Sequence, residues 1–98
     1  MDSVTILKHS KEKLNKMMDR DSLFYELSLN RELEFSVAGI KLFLTPYPKS
    51  KESIFDLWDD TNKKLLIRGT LDEIFAYKVL GKYSLNENYS QFFLEYLL

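Results

Sequence analysis

The sequence predicts a single α+β domain with two N-terminal helices, a four-stranded antiparallel sheet of two hairpins, and two C-terminal helices packed on one face. Three observations carry this reading. Apolar residues recur at helical spacing near the N-terminus, the period switches to two over residues 33–44, and two capping-box tetrads follow at Thr70-Leu71-Asp72-Glu73 and Ser84-Leu85-Asn86-Glu87. A chain of 98 residues has room for one domain, residues 1–98, burying roughly 60–65% of its unfolded surface.

Taken in order, residues 4–18 place Leu7, Leu14, Met17 and Met18 near one helical stripe, with Lys8, Lys11, Glu12 and Lys16 elsewhere. The run Asp19-Arg20-Asp21-Ser22 breaks that pattern, and Asp21 or Ser22 suits the cap of a second helix running to about Asn30. Over residues 22–30, Leu23, Tyr25, Leu27 and Leu29 also alternate as a strand would, so periodicity leaves helix and strand both open, with helix favoured. From residue 33 the alternation is unambiguous: Leu33, Phe35 and Val37 face one way and Glu34 and Ser36 the other. Ala38-Gly39 supplies the turn, and Ile40, Leu42 and Leu44 return as the second strand, with Lys41 facing out.

Pro46 and Pro48 end that hairpin, because neither can donate to a ladder. The segments IFDLWD and KKLLIRG, joined by Asp60-Thr61-Asn62, form the second hairpin. Thr70 then opens a helix carrying Leu71, Ile74, Phe75 and Val79, which Gly81 is placed to stop. Ser84 opens a last helix with Leu85, Tyr89, Phe92, Phe93 and Tyr96 as its apolar stripe.

Composition narrows the function classes. Hydrophobic residues make up 45% and aromatics 14%, with seven Phe, six Tyr and one Trp, more rings than so small a core readily holds. The 14 basic and 15 acidic residues are interspersed, for a net charge of −1, and no basic face is available to drive nucleic-acid binding through phosphate neutralisation. Cysteine is absent, which removes disulfides and thiolate metal sites. The first residues lack the pattern of a secretory signal, and no apolar run approaches a membrane span, so the expected location is cytoplasmic.

The stretch RELEFSVAGIKLFL resembles the R-E-I-E-F-x-x-x-G-K-x-Y-x-I hairpin of short uncharacterised proteins of Firmicutes and their phages. In those proteins a helix with a Leu-rich end precedes the hairpin, as LFYELSLN does here, and a later segment resembles LDEIFAYKVLGKYSL. The likeness covers about residues 21–90 and departs from the pattern at Gly39-Ile40-Lys41. It implies a shared fold, a helix at LFYELSLN and a bacterial or phage origin; it carries no catalytic residue across.

Chemistry-bearing residues are few. His9, the only histidine, stands between Lys8 and Ser10 with no carboxylate partner close in sequence and reads as a solvated side chain. Asp56, Asp59, Asp60 and Asn62 gather oxygens, but the central Gly of a calcium loop is missing and Lys63-Lys64 stand where closing ligands belong, so they read as turn residues. Asp72 and Glu73, adjacent in a first helical turn, point about 100° apart and suit the helix dipole better than acid–base work. No catalytic residue, metal site or cofactor is expected.

Two segments suit a partner surface. The stiff TPYPKSK loop presents Tyr47 beside Lys49 and Lys51, and at the C-terminus Leu94, Leu97 and Leu98 spill beyond the helical stripe, making a candidate partner surface with Phe93 of that stripe. The function expected is therefore a small non-enzymatic protein-interaction module, an inhibitor or accessory factor, with a homodimer through the final helix as one form. The alternative is a single-strand nucleic-acid binder stacking bases on sheet and loop rings such as Tyr47 and Trp58.

Overall fold

The computed structural model describes residues 18–48 and 51–98. The helix expected over residues 4–18 lies, apart from Met18, outside the described residues, as do His9 and Lys49.

The first described helix, α1 (Arg20–Ser28), starts at Asp19, whose carboxylate accepts a hydrogen bond from the Ser22 amide at 2.7 Å. The cap is thus two or three residues earlier than Asp21 or Ser22. Leu23 and Leu27, one turn apart, are fully buried, whereas Tyr25 and Leu29 are 63% and 55% exposed. A strand would have put all four on one face, so the spacing of four, rather than two, decides this segment. Asn30, at φ 62°, ends the helix in the left-handed region that Asn tolerates.

Strands β1 (Leu33–Val37) and β2 (Ile40–Pro46) form the expected hairpin, pairing Val37 with Ile40 across a two-residue turn. Ala38 and Gly39 both take positive φ, 49° and 81°, the mirror-image turn whose twist matches its strands. Leu33, Phe35, Val37, Leu42 and Leu44 are buried, Glu34 and Lys41 exposed and Ser36 half-buried, so the register is the one the alternation predicts. Strands β3 (Phe55–Asp59) and β4 (Lys64–Gly69) form the second hairpin. In its turn the Asp59 carboxylate accepts from the Asn62 amide at 2.9 Å and from the Asn62 side chain at 2.8 Å.

Helix α2 (Leu71–Ala76) opens with a complete capping box: the Glu73 amide donates to the Thr70 hydroxyl at 3.3 Å and the Thr70 amide to the Glu73 carboxylate at 3.0 Å. It is shorter than the sequence pattern suggests. Tyr77 is already extended, and Leu80 and Gly81, both at positive φ, turn the chain so that Val79 bridges Tyr83. Gly81 does take the left-handed conformation, but in this turn and not as a helix stop.

The C-terminal segment corrects the expected fold. The Ser84 hydroxyl accepts from the Glu87 amide at 3.1 Å, as the tetrad predicts, yet only a turn follows. The chain passes through a short 3₁₀ turn (Tyr89–Gln91) into a fifth strand, β5 (Phe92–Leu97), which pairs antiparallel with β1. The sheet is therefore five-stranded and antiparallel, in the order β4-β3-β2-β1-β5, and the described residues hold two helices, not the three of the predicted four that fall within them.

A bulge explains the disguise. Phe35 pairs with Leu94 but Glu34 with Tyr96, leaving Glu95 as the extra residue. Inward residues thus fall at 92, 94 and 97, and the outward rings Phe93 and Tyr96 fall three apart, the spacing that read as part of a helical stripe.

The core lies on one face of the sheet, where Phe35, Phe55, Leu94 and Leu97 meet Leu23 and Leu27 of α1 and Ile74 and Phe75 of α2. Full burial of each such side chain contributes roughly 1.5–3 kcal/mol. Tyr89 ties the start of the described chain to this layer, its hydroxyl donating to the Met18 carbonyl at 2.7 Å. Burial pushes the pKa of that hydroxyl up to about 12.

Candidate functional site

The other face of the sheet has no helix of the described residues upon it. The register builds a row across it from side chains pointing away from the core. Tyr96 of β5 opposes Glu34 of β1, Glu34 opposes Phe43 of β2, Phe43 opposes Trp58 of β3, and Trp58 opposes Leu65 of β4. Five strands at about 4.8 Å spacing make this row about 19 Å long. Phe43, Trp58, Leu65 and Tyr96 are each half-buried, and none belongs to the core cluster.

Two bulges set the row in phase. The first, at Glu95, turns Tyr96 outward; the second, between Leu57 and Trp58, leaves Leu66 as the extra residue of β4 and turns Leu65 outward beside Trp58. Continued without bulges from Phe35–Leu94 and Leu57–Ile67, the ladders would put Glu95 and Leu66 in the row in place of Tyr96 and Leu65.

Polar groups border the rings. Ser36 lies between Phe93 of β5 and Lys41 of β2, and on the opposite side Thr45, Asp56 and Arg68 are cross-strand partners. An open hollow of about 470 Å³ is lined by Glu34, Lys41, Asp60 and Glu95 among others, and a second of about 320 Å³ by Phe43, Trp58, Asp59, Asp60 and Lys63. Asp60 belongs to both and forms an ion pair with Lys63 at 2.9 Å.

The most ordered polar cluster is at the β4 end. Arg68 donates to both carboxylate oxygens of Asp56, from Nε at 2.6 Å and from Nη2 at 3.1 Å, and its guanidinium carbon lies 3.9 Å from the Tyr47 ring centre. The bond to Asp56 raises the Arg68 pKa further above its usual value, with the neighbouring charge adding to it. Asp59, by contrast, is held below the ordinary carboxylate range, first by the Asn62 side chain and then by the Asn62 amide.

Of the residues singled out in the sequence, Tyr47 and Phe93 sit on or beside this outward face, Phe93 with 41% of its surface exposed. Leu94 and Leu97 do not: at 2% and 0% exposure they are core residues, because a strand with a bulge turns them inward where a helix would have turned them out. Their use as a dimer surface is thereby removed. Leu98 is 42% exposed, but its backbone pairs with Glu32 and its carbonyl accepts from Arg31.

Asp56 is an ion-pair partner and not a turn residue, while Asp59, Asp60 and Asn62 do serve the turn. Glu73 is engaged in the capping box. The described residues contain no group of three or more His, Asp or Glu side chains placed to hold a metal ion, and no described helix is long and apolar enough to cross a membrane.

Phe43, Tyr96 and Arg68 escaped sequence reasoning. Phe43 was visible as an outward residue of a well-phased strand, but only the cross-strand register joins it to Trp58. Comparison with protein-family models finds no match, and comparisons with curated proteins and with solved structures find none either.

Proposed function

We propose that the protein is a non-enzymatic interaction module whose outward sheet face docks a protein partner. One observation carries the reading: the continuous row Tyr96, Glu34, Phe43, Trp58 and Leu65 on a face without a described covering layer. Aromatic residues and Arg dominate the energetics of protein interfaces, and here Phe43 and Trp58 lie inside a mixed polar border that includes Arg68. An inhibitor or accessory factor acts in this way, by occupying another protein's surface.

Stacking of single-stranded nucleic acid on Phe43 and Trp58 is the second reading, favoured by the same rings. Glu34, Asp60 and Glu95 beside them weigh against it, since phosphates would approach carboxylates.

The test is capture from host lysate by the full chain, quantified by mass spectrometry and repeated with Trp58→Ala and with Tyr25→Ala on the helical side. A protein enriched by the wild type and by Tyr25→Ala, but lost with Trp58→Ala, supports the docking face. Enrichment unchanged by Trp58→Ala contradicts it, and salt-sensitive retention on oligonucleotide favours the second reading.

A further inference from the structure

The outer edge of β4 has the features of a strand-accepting site. Among the described residues β4 hydrogen-bonds only to β3, so the edge from Lys64 to Gly69 offers amides and carbonyls to a further strand. The residues behind that edge are prepared for one kind of neighbour. Asp56 grips Nε and Nη2 of Arg68 and Tyr47 backs its plane, while Nη1 is without a partner among the described residues.

Arg68 is thus held in one orientation on the last strand, 43% exposed, with donors to spare for a carboxylate. Leu65, the end of the aromatic row, presents an apolar surface on the same face. The bulge at Leu66 brings Arg68 and Leu65, three positions apart in β4, to adjacent rows opposite Asp56 and Trp58, which are two apart on the regular strand β3.

We infer that β4 accepts an extended segment of a partner protein, one that places an acidic residue against Arg68 and an apolar residue two positions away against Leu65. The added strand would lengthen the docking face already described, so this inference specifies the partner for that reading and rests on it. A second copy fits poorly. Its own β4 (Lys64–Gly69) carries Lys64 and Arg68 and no acidic residue to set against Arg68. The basic ends and the bulge that discourage self-pairing leave an acidic strand welcome.

The test uses the full chain and two blocked heptapeptides of alternating valine, with glutamate and leucine two apart on one face of the first and lysine replacing glutamate in the second. Emission of Trp58, the only tryptophan, follows binding, and amide hydrogen exchange locates it. The glutamate peptide is expected to protect amides within residues 64–69 and to bind about tenfold more tightly than the lysine peptide. Arg68→Gln should remove the preference for glutamate; the two-peptide comparison on the unaltered protein stands even if that variant fails to fold.

Equal binding of both peptides, no protection at β4 with either, or a concentration-dependent dimer protected along β4 would each overturn the inference. If any of the three occurs while Trp58→Ala still abolishes capture of a host protein, strand addition is wrong and the docking face survives; if Trp58→Ala also leaves capture unchanged, both fail.

Discussion

Leu94→Ala separates a strand buried in the core from a helix offering its leucines to a partner. Leu94 is 2% exposed, opposite Phe35 of β1 and inside the cluster that includes Leu97, so truncation removes three buried carbons and leaves a cavity. Leu→Ala at such sites costs about 3 kcal/mol, within a usual range of about 2–5. For a chain of 98 residues, whose total stability is about 5–15 kcal/mol, that is a large fraction, equivalent to a fall in Tm of about 12–24 °C.

Phe93→Ala, one residue away on the outward face, should cost about 1 kcal/mol or less. Urea unfolding followed by far-UV circular dichroism measures both, and the midpoint of Leu94→Ala should fall by about 1–3 M with the slope unchanged. The assignment fails if the two variants lose stability equally, or if Leu94→Ala retains its midpoint and alters only the oligomeric state.

Thr70→Ala and Ser84→Ala should each lower stability by about 1 kcal/mol, since each hydroxyl accepts an amide that would otherwise be orphaned; unmoved urea midpoints would remove both assignments. Ala38→Asn should raise stability by about 0.5–1 kcal/mol, because Ala at φ 49° bears a left-handed strain that Asn tolerates, and a loss would mean the turn is not the mirror-image type. Amide hydrogen bonds hold Asp19 and Glu73 below the ordinary carboxylate range, as the Asn62 side chain does most for Asp59. A depressed folded pKa stabilises above the unfolded value and loses that contribution as pH falls through the folded one, so the urea midpoint should hold from pH 7 to about pH 5 and decline below about pH 4; a midpoint rising toward pH 3 would contradict the sign.

What the sequence revealed follows from how local each signal is. The first hairpin was legible because strict alternation and a Gly-bearing two-residue turn specify register without help from distant residues. The Thr70 box was legible for the same reason. The last strand was not, since the bulge at Glu95 breaks the period of two, and the pairing with β1 that stabilises it joins residues some sixty positions apart. The similar Ser84 tetrad formed its hydroxyl hydrogen bond and no helix, which shows that a cap satisfies one amide and leaves the rest of the segment to tertiary packing. The docking face was legible only in pieces: alternation marks Phe43 and Trp58 as outward, but the row exists through the register of five strands, and Leu65 and Tyr96 enter it through bulges.

Positional photo-crosslinking tests the docking face most directly. The chain has no cysteine, so Ser36→Cys at the border of the outward face and Ser28→Cys on the exposed side of α1 are each the single labelling site for a benzophenone probe. Ser36→Cys is predicted to crosslink one host protein whose capture Trp58→Ala abolishes, with no such product from Ser28→Cys. The same protein crosslinked from Ser28→Cys and not from Ser36→Cys would place the interface on the helical side and contradict the account.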